Sequence, residues 1–366
     1  MRTCFVVEDA GWTGAARACA DAAALLAARG DEPCLVAPAG SETERVLRDA
    51  GLDVVGSGAA GGWMRAAWRL RRVIAARLAE VVVVHGERAH LAAAAATRLA
   101  GRGVVLRRVP AGDALILGRD GRLAMRLADA GFVFSHADDV RGMTPPKGAL
   151  AATLVPPGVA PPSAVATPRP GSSPAAVGAI RPDAPRLAVF TGADRRHETL
   201  LVLRTFALLA PRLPRLRMVV VAPTAERDAL RLDAAALGVA DRVDVRNASA
   251  SRDVLLAGAS LAWVVATSDD AVYAMLDALA EGLWVLAERT PLSARFVEDG
   301  TNGTLRHRSG EAEWASVIAA AMGRSGAAEA TRAAARAAAA RWPRSAAADG
   351  WSLALERARD RVRWTA

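Results

Sequence analysis

The chain has 366 residues, a length for which two domains are expected rather than one. Hydrophobic residues make up 52% of it, so each half can bury a core, and 47 basic against 38 acidic residues give a net charge of +9. This balance favours an anionic partner. The sequence contains no nucleic-acid-reading motif and no aromatic-basic repeat, so we expect no nucleic-acid partner.

The cysteines and the N-terminal residues indicate the cellular compartment. Cys4, Cys19 and Cys34 are odd in number and form no close pair in the sequence, which argues against disulfides or a zinc site and for a reducing compartment. The chain begins directly with a strand pattern, without the basic-then-apolar layout of a signal peptide. No apolar run is long enough to span a bilayer. We therefore expect a cytoplasmic protein.

The first half, predicted to span 1–160, alternates short apolar strands with helices rich in Ala, Leu and Arg. In chain order the predicted strands are RTCFVVE, PCLVAP, LDVVG, EVVVVHG, GVVLRRV, AGFVFSH and ATLVPPGV. The predicted helices cover 15–29, 42–50, 64–78 and 91–99. Short strands that are apolar throughout and are separated by helices indicate a parallel, doubly wound sheet.

The composition changes to Pro, Ser, Ala and Gly over 161–185, which predicts a linker or a long exposed loop. A second α/β run follows over 186–344. Its predicted strands are RLAVFTG, RMVVVAP, RVDVRN, LAWVVAT and WVLAE, and its helices cover 199–210, 226–237, 253–257 and 270–280. After Trp314 the chain is predicted to be helical, with a break at Trp342–Pro343. The last segment, 345–366, is long enough to return to the first domain.

An aspartate pair opens the apolar stretch SDDAVYAMLDALAEGLWVL, and Asp277 lies eight residues after Asp269. Wound as a helix at 100° per residue, Asp270, Ala274, Asp277 and Ala278 share one face. One interpretation is a solvated face whose acidic first turn suits the helix dipole. The other is a ligand site, because a carboxylate in a nucleotide site accepts both ribose hydroxyls.

Three further positions are candidates for contact with an acceptor or a phosphate. Gly14 closes the turn GWTG before the first helix, where the backbone can approach a ligand. His85 ends the strand VVVVH, and Arg107 and Arg108 end the next strand. Ligands of open α/β sheets bind at the carboxyl ends of strands. The alternatives are a glycine that only shapes the turn and a histidine that faces solvent.

The predicted helix WMRAAWRLRRVIAAR is amphipathic, with Trp68 on its flank. Its apolar face is formed by Trp63, Ala67, Leu70 and Ile74. The opposite face is formed by Arg65, Arg69 and Arg72. An arginine stripe beside a tryptophan can rest on anionic headgroups. A solvated arginine face is the alternative interpretation.

Taken together, this order resembles the GT-B glycosyltransferases of retaining family 4, over essentially the whole chain. The segments that carry the resemblance are GWTGAARACADAAALLAARGDEPCLVAP, VVVVHGERAHLAAAAATRLAGRGVVL, VPPGV, TLLVLRTFALLAPRLPRLRMVVVAP and LDALAEGLWVLAERTPLSARFVEDGTNGTL. The resemblance implies two Rossmann-like domains that face each other across a cleft, the first on the acceptor side and the second binding a nucleotide-sugar. It also implies that the C-terminal helix crosses back to the first domain.

The family motif, two glutamates separated by seven residues, is held here by Asp269 and Asp277. The resemblance implies that Asp277 holds the nucleotide ribose and that Asp269 contacts hydroxyls of the donor sugar. On this ground the ligand interpretation of the helix is preferred to the solvated face.

Donor phosphates need cations or backbone donors, which the segment FTGADRRHETLLVL is expected to supply. In the family an Arg and a Lys neutralise the diphosphate, and Ala193 and His197 stand at those two positions here. Arg195 and Arg196 lie between them and are expected to supply the charge, with Gly192 in the same donor site. A solvated basic loop is the alternative.

The implied activity is hexosyl transfer, with retention, from a nucleotide-sugar donor to an envelope glycan or lipid-linked acceptor. No cofactor and no metal are expected, and the work is positioning and charge stabilisation, so no nucleophile or general base is assigned. The expected location is cytoplasmic, peripheral to an anionic inner-membrane surface.

Three departures from the family pattern support a different function. No His follows the strand VVLRRV, Asp270, Ala271 and Val272 replace a glycine-rich turn, and Arg295 replaces an acid. The alternative is therefore a GT-B-like binding or scaffold protein whose donor site has decayed. A Rossmann dehydrogenase is disfavoured, because the Gly-x-Gly-x-x-Gly turn follows neither first strand.

Overall fold

The computed structural model of the protein describes residues 1–58, 62–141, 149–160, 185–192, 196–324 and 329–365. The chain divides into two compact units. Unit 1 comprises Met1–Gly158 and Trp342–Ala366, and unit 2 comprises Val159–Arg341. Apart from residue 185, the predicted linker over 161–185 lies outside the described residues.

Unit 1 is built on a parallel sheet with the strand order β3-β2-β1-β4-β5-β6-β7. Its strands are β1 (Arg2–Val6), β2 (Glu32–Pro38), β3 (Val54–Ser57), β4 (Val81–Val84), β5 (Val104–Arg108), β6 (Ala130–Phe134) and β7 (Thr153–Leu154). The helices between them are α1 (Gly14–Ala28), α2 (Glu42–Asp49), α3 (Trp63–Arg77), α4 (Glu87–Ala100) and α5 (Arg119–Leu127). Helix α4 begins four residues earlier than predicted, and α5 was not predicted from the sequence.

Unit 2 contains a second parallel sheet, with the order β10-β9-β8-β11-β12-β13. Its strands are β8 (Arg186–Phe190), β9 (Arg217–Ala222), β10 (Val243–Asn247), β11 (Leu261–Val264), β12 (Trp284–Glu288) and β13 (Gly303–Arg306). Its helices are α6 (Arg196–Leu209), α7 (Arg227–Ala236), α8 (Arg252–Leu256), α9 (Ser268–Ala280), α10 (Glu311–Arg324) and α11 (Glu329–Ala340). In order along the chain this is the 3-2-1-4-5-6 arrangement of a dinucleotide-binding fold.

The central strands of both sheets are buried on both faces. Every residue of Val81–Val84 in β4 and of Leu261–Val264 in β11 is buried, as expected for central parallel strands covered on both faces. Helices α1 and α2 begin at residues whose side chains cap them: the Thr13 hydroxyl accepts from the amide of Ala16, and the Ser41 hydroxyl accepts from the amide of Glu44. The predicted pair of Rossmann-like halves is confirmed.

The last helix, α12 (Arg344–Thr365), belongs to unit 1. The predicted break at Trp342–Pro343 separates it from α11. The ring of Trp351 meets the ring of Phe5 edge-on, with centroids 5.4 Å apart. Arg344 pairs with Asp21 on α1 at 2.9 Å, so apolar packing and ion pairs both attach α12 to this unit.

The turn Asp299-Gly300-Thr301-Asn302-Gly303, which contributes to the family resemblance, shapes the chain before β13. The Asp299 carboxylate accepts from the amide of Leu305 at 3.0 Å, and Gly300 has a φ of 83°. A Cβ on Gly303 would lie 2.3 Å from the carbonyl oxygen of Val285. Only glycine fits that position, so this part of the motif serves the fold.

Candidate functional site

The strand order of unit 2 reverses between β8 and β11, and ligands of open α/β sheets bind outside the carboxyl ends of the strands at such a point. The amides of Val265 and Ala266 both donate to the carbonyl of Phe190 at 3.0 Å. The two chain segments that leave β8 and β11 therefore run side by side at this edge.

Gly192 and the start of α9 meet at that edge. A Cβ on Gly192 would lie 3.7 Å from Cα of Ala266 and 3.9 Å from Oδ2 of Asp270. Gly192 has no side chain, so the backbone beside Asp270 is open to a close approach by a ligand. The structure thus brings the predicted donor-site glycine next to Asp270, the second residue of the aspartate pair.

Helix α9 begins with a strained residue. Ser268 has a φ of 55°, the left-handed region that non-glycine residues rarely adopt, and Thr267 before it is extended. Such strain costs on the order of 1 to 3 kcal/mol and is found where a functional site over-determines the backbone. Asp269, the residue after Ser268, is buried and lies in the first turn of this 13-residue helix. The helix dipole favours anions at that end.

Asp277 lies in a different environment from Asp269. Eight residues along a helix correspond to about 12 Å along the axis, so one small group cannot touch both carboxylates. Asp277 is also buried, with 6% of the residue exposed. The solvated-face interpretation of this helix is therefore wrong, because α9 packs between its sheet and α11.

Arg252, at the start of α8, faces the second acid. Its Nη1 lies 4.0 Å from Oδ1 of Asp277, its Nε lies 2.9 Å from Oε1 of Glu281, and Nη1 donates to the carbonyl of Ala160 at 3.0 Å. All three charged side chains are largely buried. The sequence gives no signal for this contact, since Arg252 and Asp277 are 25 residues apart on different helices.

The predicted phosphate-binding segment is only partly described. Arg195 lies outside the described residues, and Arg196 is the first residue of α6. His197 follows it, is 67% exposed, and has its Nε2 3.9 Å from Oε1 of Glu198. The histidine is therefore accessible to an anionic group from solvent.

In unit 1 the predicted residues gather at the carboxyl ends of β1 and β4. Gly14 is the first residue of α1 and is buried. The Nε2 atom of His85, directly after β4, lies 2.8 Å from Sγ of Cys19 on α1. The thiol and the imidazole share a hydrogen bond, which fixes one edge of the ring. The sequence did not indicate Cys19 as a partner for this histidine.

The two arginines at the end of β5 are not equally accessible. Arg108 is buried, and Arg107 is largely buried with its Nη1 3.8 Å from Oε1 of Glu87. Burial lowers the pKa of Arg107, and the nearby Glu87 partly opposes this. Neither side chain presents much surface to a ligand.

His90, one turn into α4, is fully buried near Arg107. Neither of its ring nitrogens has a hydrogen-bond partner among the described residues. Burial, and then the charge of Arg107, lower the pKa of His90 from 6.5 to about 4. The imidazole is therefore neutral near pH 7.

A cavity of about 820 Å³ in unit 2 lies at the opposite edge of the sheet, at the amino ends of β11 and β12. Ligands of this fold bind at the carboxyl ends, so this cavity is not the candidate donor site. Within the described ranges, no helix is long and apolar enough to cross a membrane.

The strand orders, together with the switch-point geometry, define the fold class before any comparison. Neither a protein-family model nor a curated protein matches the sequence. Solved structures do match. HepE from Anabaena, in complex with UDP-glucose, has a TM-score of 0.71 at 15% identity and covers 97% of this chain and 99% of its own.

Two other structures are similar to the same extent. A glycosyltransferase from Rickettsia africae ESF-5 has a TM-score of 0.68 at 12% identity, and sucrose-phosphate synthase from Thermosynechococcus elongatus has 0.68 at 13%; each match covers 98% of both chains. At these identities the likeness establishes the fold alone. The predicted GT-B fold is confirmed at that level.

Proposed function

We propose that this protein is a glycosyltransferase that moves a sugar from a nucleotide-sugar to an acceptor. The observation that carries the proposal is the switch point of unit 2, where Gly192 lies beside Asp270 and the strained Ser268 directly precedes the buried Asp269. This is where the fold binds nucleotides. Solved structures with the same fold support it: they include a glycosyltransferase from Rickettsia africae, the lipopolysaccharide outer core galactosyltransferase WaaB, and HepE in complex with UDP-glucose.

In the proposed reaction the bond between the anomeric carbon and the diphosphate breaks, and the diphosphate leaves with the electron pair. The acceptor hydroxyl oxygen forms the new bond to the anomeric carbon, and its proton passes to an oxygen of the leaving diphosphate. Asp269 accepts hydrogen bonds from donor-sugar hydroxyls, and Asp277 holds the ribose. The N-terminus of α6 and the residues Gly192, Arg195, Arg196 and His197 stabilise the leaving charge, so no metal ion is required.

The finer parts of the proposal rest on the family resemblance: hexosyl transfer, retention of configuration, and an envelope glycan or lipid-linked acceptor bound by unit 1. Gly14, His85 and Arg108 belong to the proposed acceptor side. Because Arg108 is buried, its proposed part is to hold the end of β5 in place rather than to touch the acceptor.

Helix α3 supports a further partner, an anionic membrane surface. Met64 and Trp68 are 62% and 56% exposed and lie one turn apart, and the Arg71 guanidinium stacks 5.4 Å from the centre of the Trp68 ring. Arg65 and Arg72 are also exposed. An apolar strip beside arginines is the pattern of a helix that lies at a lipid interface.

A second function, a GT-B-like binding or scaffold protein without transfer, is favoured by one observation. Asp270, Ala271 and Val272 are part of helix α9, at the place where the family has a glycine-rich turn that offers amides to the donor. The amide of Ala271 donates to the carbonyl of Thr267 at 3.2 Å, so the helix itself uses an amide that the family's turn offers to the donor.

Calorimetric titration with UDP, GDP, ADP, dTDP, CMP and NAD, followed by a turnover assay, tests the proposal. We expect one nucleoside diphosphate to bind, together with its nucleotide-sugar. Asp269→Asn should weaken the nucleotide-sugar by about tenfold through loss of a charged hydrogen bond to the sugar, and Asp228→Asn on the exposed side of α7 should leave both ligands unchanged. Turnover of the matching nucleotide-sugar should persist in EDTA. Binding without turnover selects the scaffold, and binding of no nucleotide refutes the donor site.

A further inference from the structure

A slot of about 450 Å³ opens in unit 1 at the carboxyl ends of β1, β2 and β3. Its apolar lining comes from the strands and from the facing helices α3 and α4. These residues are Val6, Val36, Val55, Leu70, Val73 and Ala92. The volume is within the range of small-molecule sites, and the carboxyl edge is where such sheets bind ligands.

The inside of the slot and its rim differ in chemistry. Val36, Leu70, Ala89 and Ala92 are buried, whereas the charged groups on the rim, Glu8, Arg69 and Arg72, are exposed. Two arginines and one glutamate give the rim a net charge of +1. The slot therefore combines an apolar interior with a cationic mouth.

The two rim arginines differ in their hydrogen bonds. The Nη1 atom of Arg69 donates to the carbonyl of Gly58 at 2.7 Å, so Arg69 forms part of the wall. Arg72, one turn further along α3, makes no hydrogen bond or ion pair with the described residues. It is the cation on the rim that is available to an incoming anion.

These features select one class of ligand. A small polar anion would leave the apolar interior unused, and a purely apolar molecule would gain nothing from Arg72. A molecule with a single alkyl or acyl chain and an anionic head fills the interior with its chain and pairs its head with the arginine.

We propose that this slot binds the chain of an anionic, single-chain amphiphile, with Arg72 at the head group. The proposal deepens the function proposed above, and rests on it in one respect: the amphiphile would be the anchor of a lipid-linked acceptor. The binding itself does not depend on any donor.

Calorimetric titration of the wild-type protein with octyl phosphate, below its micelle concentration, tests this site. We expect one site per chain, no heat of binding for inorganic phosphate, and binding about tenfold weaker for uncharged octyl glucoside, since a lost charged contact is of that size. Binding of phosphate as strong as that of octyl phosphate would overturn the chain slot.

Two matched pairs of variants locate the site. Ala66 lines the slot and Ala75 does not, and both are exposed on α3, so Ala66→Phe should abolish binding while Ala75→Phe retains it. Arg72→Gln should weaken binding about tenfold, and Arg98→Gln, exposed on α4 and outside the slot, by less than about twofold. Equal effects within either pair would refute the proposal. Because no nucleotide is present, failure here is separate from failure of the donor site.

Discussion

Arg252, on a neighbouring helix, links Asp277 of α9 to Glu281, which directly follows α9: its guanidinium lies 4.0 Å from Asp277 and 2.9 Å from Glu281, with all three side chains largely buried. A buried cation shared by two carboxylates couples the end of α9 to α8. The coupling also bears on the proposed ribose contact, because it orients the Asp277 carboxylate whether or not a nucleotide is bound.

Removing the shared cation should destabilise unit 2. Arg252→Leu leaves two carboxylates without their buried partner, which costs about 3 to 5 kcal/mol, whereas Asp277→Asn leaves the pair with Glu281 and costs less. Urea unfolding measures both. The control is Arg231→Leu, whose ion pair with Asp228 is exposed and contributes less than about 1 kcal/mol.

If Asp277 holds the ribose, Asp277→Asn should reduce the free energy of nucleotide binding by more than it reduces the free energy of unfolding. A loss of stability with unchanged nucleotide affinity would instead limit Asp277 to the contact with Arg252.

The buried His90 should make the protein sensitive to acid. Its pKa is about 4 in the folded state and close to 6.5 when unfolded, so the unfolded chain takes up the proton first as the pH falls. Its contribution to stability is complete above pH 6.5, and about 3 kcal/mol is lost as the pH falls to 4. Urea unfolding at a series of pH values measures this slope.

A variant separates His90 from the carboxylates, which also titrate in this range. His90→Leu removes two buried nitrogens that lack partners among the described residues, so it should be at least as stable as wild type at pH 7 and should lose less stability on acidification. His307→Leu, at an exposed position, serves as the control and should keep the wild-type slope. An unchanged slope in His90→Leu would contradict the assignment.

The sequence pattern predicted most of the fold because the central strands of both sheets are apolar; the short and partly polar strand β13 was not predicted. The pattern did not predict helical residues whose local sequence is unfavourable for a helix. The polar start of α4, near Glu87, contains no apolar period, and α5 contains Gly121, a poor helix former. A Cβ on Gly121 would lie 2.7 Å from Oε1 of Glu87, so a larger residue at this position would require the Glu87 side chain to shift.

The candidate site was predicted in part. Gly192 and the aspartate pair follow directly from strand ends, which the sequence marks clearly. The contacts of Asp277 with Arg252 and of His85 with Cys19 join residues far apart in the chain, and a single sequence contains no signal for them. Asp277 is buried beside Arg252 of α8, and the sequence pattern does not determine how these two helices pack.

Helix α3 should bind vesicles that contain anionic lipid. Sedimentation with phosphatidylglycerol vesicles should show binding that falls with salt, and neutral phosphatidylcholine vesicles should bind weakly. Trp68→Ala removes the largest exposed apolar side chain of α3 and should weaken binding to the vesicles. Arg65→Gln and Arg72→Gln should each weaken this binding about fivefold, since each charge contributes about 1 kcal/mol. Leu232→Ala, on an exposed position of α7, is the control. Equal binding to neutral vesicles would contradict the proposed surface.

Helix α12 should be essential to the stability of unit 1, because Trp351 is buried against Phe5 in its core. Trp351→Ala removes that side chain and should cost about 3 to 5 kcal/mol. Leu353→Ala, two residues along the same helix and 43% exposed, should cost far less. Since the chain has two units, a single unfolding midpoint is not a sufficient readout. Amide hydrogen exchange should show faster opening of β1 and β4 in Trp351→Ala, with β8 and β11 protected as in wild type. Equal loss of protection in both sheets would mean that the two units do not unfold independently.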